Sequence, residues 1–186
     1  MQIAMMMGLA VGLSMDAFSV AVAVGVALGK LTGRQLFRLG WHFGLFQFFM
    51  PLIGWFGGAA AGAVITRVDH WLALGLLSYI GGRMLVSAIR HDEEEVRGDP
   101  TRGLSLVILS GATSIDALAT GLSMRAMDVN VWVACTIIGV LTAGLTALGM
   151  LLGAAGRTKL GPYAKALGGV VLIAIGIRVV VVHLSS

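Results

Sequence analysis

Apolar positions along this chain do not form the one-sided stripe of a surface helix. They come in six long runs, at about 3–29, 36–65, 70–89, 103–124, 130–155 and 162–184. Some 20 apolar residues in helical form cross a hydrocarbon layer about 30 Å thick, so each run predicts a membrane-spanning helix. The longer runs must tilt or project beyond the layer. Short polar connectors separate them and leave no room for a soluble domain. The longest connector, RHDEEEVRGDPTR at 90–102, contains Pro100. It divides the chain into a three-helix unit at 1–90, a linker at 91–102 and a second three-helix unit at 103–186.

Composition agrees with the pattern. The chain is 58% hydrophobic and only 12% charged, against about 25% charged in a soluble domain, and its mean hydropathy is +0.93. The formal charge of +4 is spread over short gaps between apolar runs rather than gathered on a basic face, which argues against nucleic-acid binding. One cysteine, Cys135, cannot form an intrachain disulfide. The first run lacks the basic leader of a cleavable signal, so it reads as a retained helix.

Basic residues also set an orientation. Connectors one, three and five hold nine Lys and Arg: Lys30, Arg34, Arg38, Arg90, Arg97, Arg102, Arg157, Lys159 and Lys165. Connectors two and four hold two, Arg67 and Arg125. The odd connectors are therefore expected in the cytoplasm and both termini outside.

The two units resemble each other. SMDAF at 14–18 recurs as SIDAL at 114–118, 100 positions on. Gly44, Gly54 and Gly58 match Gly139, Gly149 and Gly153, and GGR at 81–83 matches GIR at 176–178, all at an offset of 95. A repeat with an odd number of spans must insert in opposite senses. The expected fold is all-α, with six transmembrane helices arranged as two inverted three-helix repeats. Secondary transporters of that build bind substrate near the midplane, at the repeat interface.

Asp16 and Asp116 would be symmetry mates at such an interface. An aspartate at the centre of a spanning helix costs roughly 2.5–3.5 kcal/mol on insertion scales, and this chain carries two. In a structural reading they pair with Arg83 or Arg178, or share protons with Ser14 and Ser114. In a functional reading the two carboxylates bind a cation, protons, or both in turn. The surrounding donors are oxygen-rich: Ser14, Ser114, the Gln47 amide and Thr113, with Thr142 at the position equivalent to Gln47. Met15 offers a soft sulfur. Oxygen donors suit Mg, Ca and Mn, and no paired cysteines or HxxxH spacing point to zinc or copper. Pro51 sits inside the second run, where it frees a backbone carbonyl, either as a packing kink or as part of a site.

No nucleotide-binding loop is present. The segment VGVALGKLTG at 24–33 has Val24 and Leu31 where a phosphate loop needs Gly and Ser or Thr. Expelling a divalent cation against an inside-negative potential costs about 4.6 kcal/mol per 100 mV. Proton counter-transport could supply it, because a carboxylate holds either a proton or a metal.

The segments GLSMDAFSVAVAVG, PLIGWFGG, HWLALGLLSYIGGRML, TSIDALATGLS and LGGVVLIAIGI, in this order and at this spacing, resemble the bacterial manganese efflux pump family of the MntP type. The resemblance covers nearly the whole chain. It implies six transmembrane helices in two repeats, kinship with the lysine exporter superfamily, and residence in the bacterial inner membrane. It also implies export of Mn2+ from the cytoplasm, with the family's paired aspartate motifs on Asp16 and Asp116. Manganese would be cargo, with no resident cofactor and no enzymatic activity. Its other partners would be the lipid bilayer and, as an open case, a second copy of the chain.

Three other readings compete with this one. An exporter of another metal or of a cationic amino acid would share the build, although an organic substrate favours a more aromatic lining than 7% aromatic residues suggest. An intramembrane aspartyl protease would share one proton between two aspartates, but its motifs resemble YD and GxGD rather than SMDA and SIDA. A bland membrane scaffold would leave both aspartates unexplained.

Overall fold

The computed structural model describes residues 2–65, 74–75, 78, 81–82, 85–86, 99–124, 130–160, 163, 166, 169–170, 173–174, 177–178 and 181. Among them every regular element is helical. The five continuous helices are α1 (Gln2–Leu28), α2 (Gly33–Ile65), α3 (Gly103–Ala112), α4 (Ile115–Met124) and α5 (Val131–Leu160). Met6–Leu28, Gly103–Met124 and Val131–Arg157 are long and apolar enough to cross a membrane. At 33 residues, α2 is about 50 Å long, so it extends past the bilayer core.

Local sequence explains the helix ends. Thr32 and Gln35 form a reciprocal capping box at the start of α2. The Thr32 backbone N–H donates to Gln35 Oε1 (2.9 Å), and the Gln35 N–H donates to Thr32 Oγ1 (3.3 Å). Gly29 follows α1 with φ of 69°, a left-handed conformation that glycine adopts without strain. Arg157 reaches over from α5, and its Nη1 donates to the Ala27 carbonyl at 2.6 Å, closing the exposed end of α1.

The run at 103–124 is not one helix, as the sequence pattern predicts, but two. Thr113 and Ser114 interrupt it. The Thr113 hydroxyl bonds the Leu109 and Ser110 carbonyls, and the Ser114 hydroxyl bonds those of Ser110 and Gly111. Neighbouring hydroxyls thereby take acceptors that the helix ladder would otherwise use. Pro51, by contrast, lies within an α2 that continues through it.

Helix directions follow from the contacts. Thr142 meets Ser14, and the position of a Cβ on Gly149 lies 2.8 Å from the Phe18 carbonyl oxygen; Arg157 meets Ala27. Residue numbers rise together, so α1 and α5 are parallel. Gly40 faces Ala143 and Gly44 faces Gly139, so α2 and α5 are antiparallel. Gln47 meets Thr113, and Gly54 abuts Leu118, so α2 runs with α4. A Cβ at Gly44 would stand 2.8 Å from the Gly139 carbonyl oxygen, and one at Gly139 would stand 2.9 Å from that of Gly44. Backbones this close need small residues, which is how helices associate in lipid, where apolar burial supplies little drive.

One cluster of buried side chains joins Ala17, Val20, Val24, Leu39, Phe43, Leu109 and Met150. Phe37, Trp41, Phe49, Phe56, Trp132 and Val140 are exposed, an apolar surface that suits a membrane protein. The described positions of the third and sixth apolar runs are helical, and Gly169 approaches Gly81 and Leu85. The linker residues 91–98 and Arg83 lie outside the described residues.

Candidate functional site

The two aspartates, 100 positions apart in sequence, are neighbours in space. Their carboxyl groups lie close enough to interact electrostatically. Asp16 is half-buried within unbroken α1, whereas Asp116 is exposed and lies in the first turn of α4. Asp116 Oδ1 also accepts from the Ala117 backbone N–H at 2.8 Å. Among the described residues no Lys or Arg pairs with either aspartate, and Arg178 is exposed.

Polar side chains that are fully buried surround the two motifs. Ser14 donates to the Ala10 carbonyl (2.6 Å) and meets Thr142 Oγ1 at 2.7 Å. A serine has one proton to give, so Thr142 is the donor in the second bond. Gln47 bridges both motifs. Its Nε2 donates to the Leu13 carbonyl (3.3 Å) and to the Thr113 carbonyl (3.1 Å), which occupy equivalent positions before the two serines. The other end of the amide, Gln47 Oε1, is buried without a partner. Proline has no N–H, so Pro51 cannot donate to the Gln47 carbonyl one turn back. Residue 47 therefore combines a fixed amide with oxygen acceptors that have been left open.

The donors expected from the sequence thus divide. Asp16 and Asp116 come together, as do Ser14 with Thr142, and Gln47 with the Thr113 backbone. The Ser114 and Thr113 hydroxyls are spent on α3. Met15 is 49% exposed, which turns its sulfur away from Ser14. No group of three His, Cys, Asp or Glu side chains gathers among the described residues, so any bound cation would rest on two carboxylates plus neutral oxygens. That donor set is hard and suits Mn, Mg or Ca over thiophilic metals. Sequence reasoning missed Thr146. It is fully buried one turn beyond Thr142, and its hydroxyl has no partner. A second threonine four residues on in an apolar helix was the available signal.

Long apolar helices with buried polar side chains between them and a carboxylate pair close by define the class: a membrane protein with a polar site at its helix contacts. The family model described as "Putative manganese efflux pump" matches residues 30–180, and this chain belongs to that family. Relatives named "Putative manganese efflux pump MntP" include one from Syntrophotalea carbinolica, 48% identical over 98% of both chains. One from Oleidesulfovibrio alaskensis is 46% identical over 96% of both. One from Desulfotalea psychrophila is 48% identical over 96% of this chain and 94% of its own. No solved structure matches.

Proposed function

We propose that this chain exports Mn2+ from the bacterial cytoplasm across the inner membrane, holding the ion between Asp16 and Asp116. The observation that carries the reading is the meeting of two carboxyl groups from distant parts of the chain, with no basic side chain beside them among the described residues. Two adjacent carboxylates repel unless a cation or a proton sits between them. Membership of the manganese efflux family gives that cation its name.

The architecture we infer is six spans in two inverted repeats. Its support is the recurrence of contacts at equivalent positions. Gly54 abuts Leu118 while Gly149 abuts Phe18, and both pairs are related by the sequence offsets. Parallel pairing of α1 with α5 and of α2 with α4 fits halves of opposite sense. The connector between α1 and α2 then faces the cytoplasm and both termini face outward. Export proceeds by alternating access, with the ion released outward as protons take its place on the aspartates. Gln47 holds α1 and the α3–α4 break in register and offers Oε1 to the ion, and Ser14 and Thr142 line the same region.

Mn2+ flux in proteoliposomes tests this. The wild type is expected to move Mn2+, and Asp16→Asn and Asp116→Asn, each still folded, are expected not to. Normal flux in both variants would make the aspartates structural. An imposed pH gradient that leaves wild-type flux unchanged would remove proton coupling.

A further inference from the structure

The first turns of α2 carry four large side chains on one face. Arg34, Phe37, Arg38 and Trp41 stand at i, i+3, i+4 and i+7, positions that adjoin on a helix surface. Arg34, Phe37 and Trp41 are exposed, and Arg38 is half-buried. The two aromatic rings stack, with centroids 5.8 Å apart and planes 13° from parallel. Leu39 and Phe43, on the other side of the helix, are fully buried in the core. The face therefore points out of the bundle.

Its two cations have no counter-charge among the described residues. Neither Arg34 nor Arg38 makes an ion pair there, and Arg38 Nη1 is buried without a hydrogen-bond partner. Asp99, which reaches α2 at Gln35, is already held by Arg102 and Thr101. Lys30, just before the helix, is exposed and adds a third positive charge. Taking a guanidinium partly out of water is costly when nothing pairs with it, so a counter-charge from outside the chain is favoured. The level of the face along α2 says what can supply it. Trp41 follows Arg34 by seven residues, about 10 Å along the axis. That is comparable with the headgroup layer, about 5–8 Å per leaflet. Tryptophan settles where hydrocarbon meets headgroups, which sets Arg34 at the level of the phosphates. The equivalent face of α5 is a comparison within the chain. At the 95-position offset Trp132 stands for Phe37 and is likewise exposed, but Val129 and Val133 stand for the two arginines. Anchoring a helix end thus does not by itself call for the arginines.

We propose that Arg34 and Arg38, with Phe37 and Trp41, form a binding site for the headgroup of an anionic phospholipid in the leaflet beside the α1–α2 connector. Guanidinium groups donate charge-assisted hydrogen bonds to phosphate oxygens, and the stacked rings lie along the glycerol and upper acyl chains. An anionic lipid is preferred to a zwitterionic one, because a choline group would set another positive charge beside the arginines. The site does not rest on the export reading.

The test reads binding without transport. The full chain, purified in nonionic detergent, is titrated with phosphatidylglycerol or with phosphatidylcholine of the same acyl chains, and bound lipid is counted by native mass spectrometry. A basic side chain at an anionic surface contributes about fivefold in affinity, so wild type is expected to prefer phosphatidylglycerol by about tenfold or more. Arg34→Gln with Arg38→Gln is expected to bring that preference down to about twofold or below. Should the double variant fail to fold, Arg34→Gln alone, at an exposed position, is expected to lower it about fivefold. Phe37→Ala with Trp41→Ala is expected to weaken both lipids alike and keep the preference. Arg102→Gln removes the same charge outside the patch and is expected to keep it too. Equal binding of both lipids by wild type would overturn the proposal. So would an undiminished preference in the folded arginine variants, which would leave the arginines as insertion signals only. An equal loss in Arg102→Gln would make the effect one of net charge and would overturn it as well.

Discussion

The chain contains nearly the same five residues twice and folds them differently. In α1, Ser14 and Asp16 sit in an uninterrupted helix, and Ser14 spends its proton on Ala10. In the second copy the helix stops at Thr113 and Ser114 and restarts with Asp116 in its first turn. The residues leading into the two serines differ. Leu13 precedes the first serine and Thr113 precedes the second. A lone hydroxyl is absorbed by a helix, while two in succession compete for four carbonyl contacts over residues 109–111. The consequence is electrostatic. The first turn of α4 has backbone N–H groups without helical partners, which favours negative charge near Asp116. Asp16 in mid-helix has no such support. The two carboxylates thus stand side by side in different backbone settings, one in mid-helix and one in a first turn.

The largest expected effect comes from breaking the pair itself. Asp16→Asn or Asp116→Asn should lower Mn2+ flux by roughly 100-fold or more, because each removes a charge that only the ion or a proton balances. Next is the bridge between the motifs. Gln47→Leu leaves the Leu13 and Thr113 carbonyls without their amide donor. Each buried group so abandoned costs about 1–3 kcal/mol, and a fall in thermal stability should accompany reduced flux. Gln47→Glu, which when ionised donates to neither carbonyl and sets a negative charge against both, should be at least as damaging.

A subtler change would make the copies alike. Thr113→Leu restores the first motif's pattern in the second. It is expected to raise amide-exchange protection over 113–116 as the break heals, and to reduce flux about tenfold, since a 1.4 kcal/mol misplacement suffices for that. Unchanged exchange would show that the break does not depend on the Thr113 hydroxyl.

The smallest effect lies outside the membrane, where Asp99 ties the second half to the start of α2. Burial raises its pKa, but bonds from Thr101 and Gln35 and the charge of Arg102 outweigh this and hold it below the usual carboxylate value. A depressed folded pKa stabilises above the unfolded pKa and is lost as pH falls through the folded value. Asp99→Asn should therefore cost little at neutral pH, under about 1 kcal/mol, and should remove part of the acid sensitivity of melting below pH ~4.

Much of this was legible in the sequence. Asp16, Asp116 and Ser14 stood out because polar groups in long apolar runs are expensive, and Gln47 and Thr142 because they share an offset. The bridging of two backbone carbonyls by Gln47 was not legible, since it depends on three helices crossing at one level. Nor was the helix break, because hydropathy sees 103–124 as one run and is blind to hydroxyls competing for carbonyls. Met15 offered a ligand by type, but its neighbour Ser14 already held the inward direction, and the next residue on a helix turns about 100° away.

The central claim is that Asp16 and Asp116 hold one Mn2+ between them, and equilibrium binding tests it most directly. Free Mn2+ can be followed by its electron paramagnetic resonance signal as purified protein in lipid nanodiscs is added. Stoichiometric loss of free Mn2+ with wild type, abolished in both Asp16→Asn and Asp116→Asn, is the predicted result. Undiminished binding by either variant would show that the pair is not the metal site.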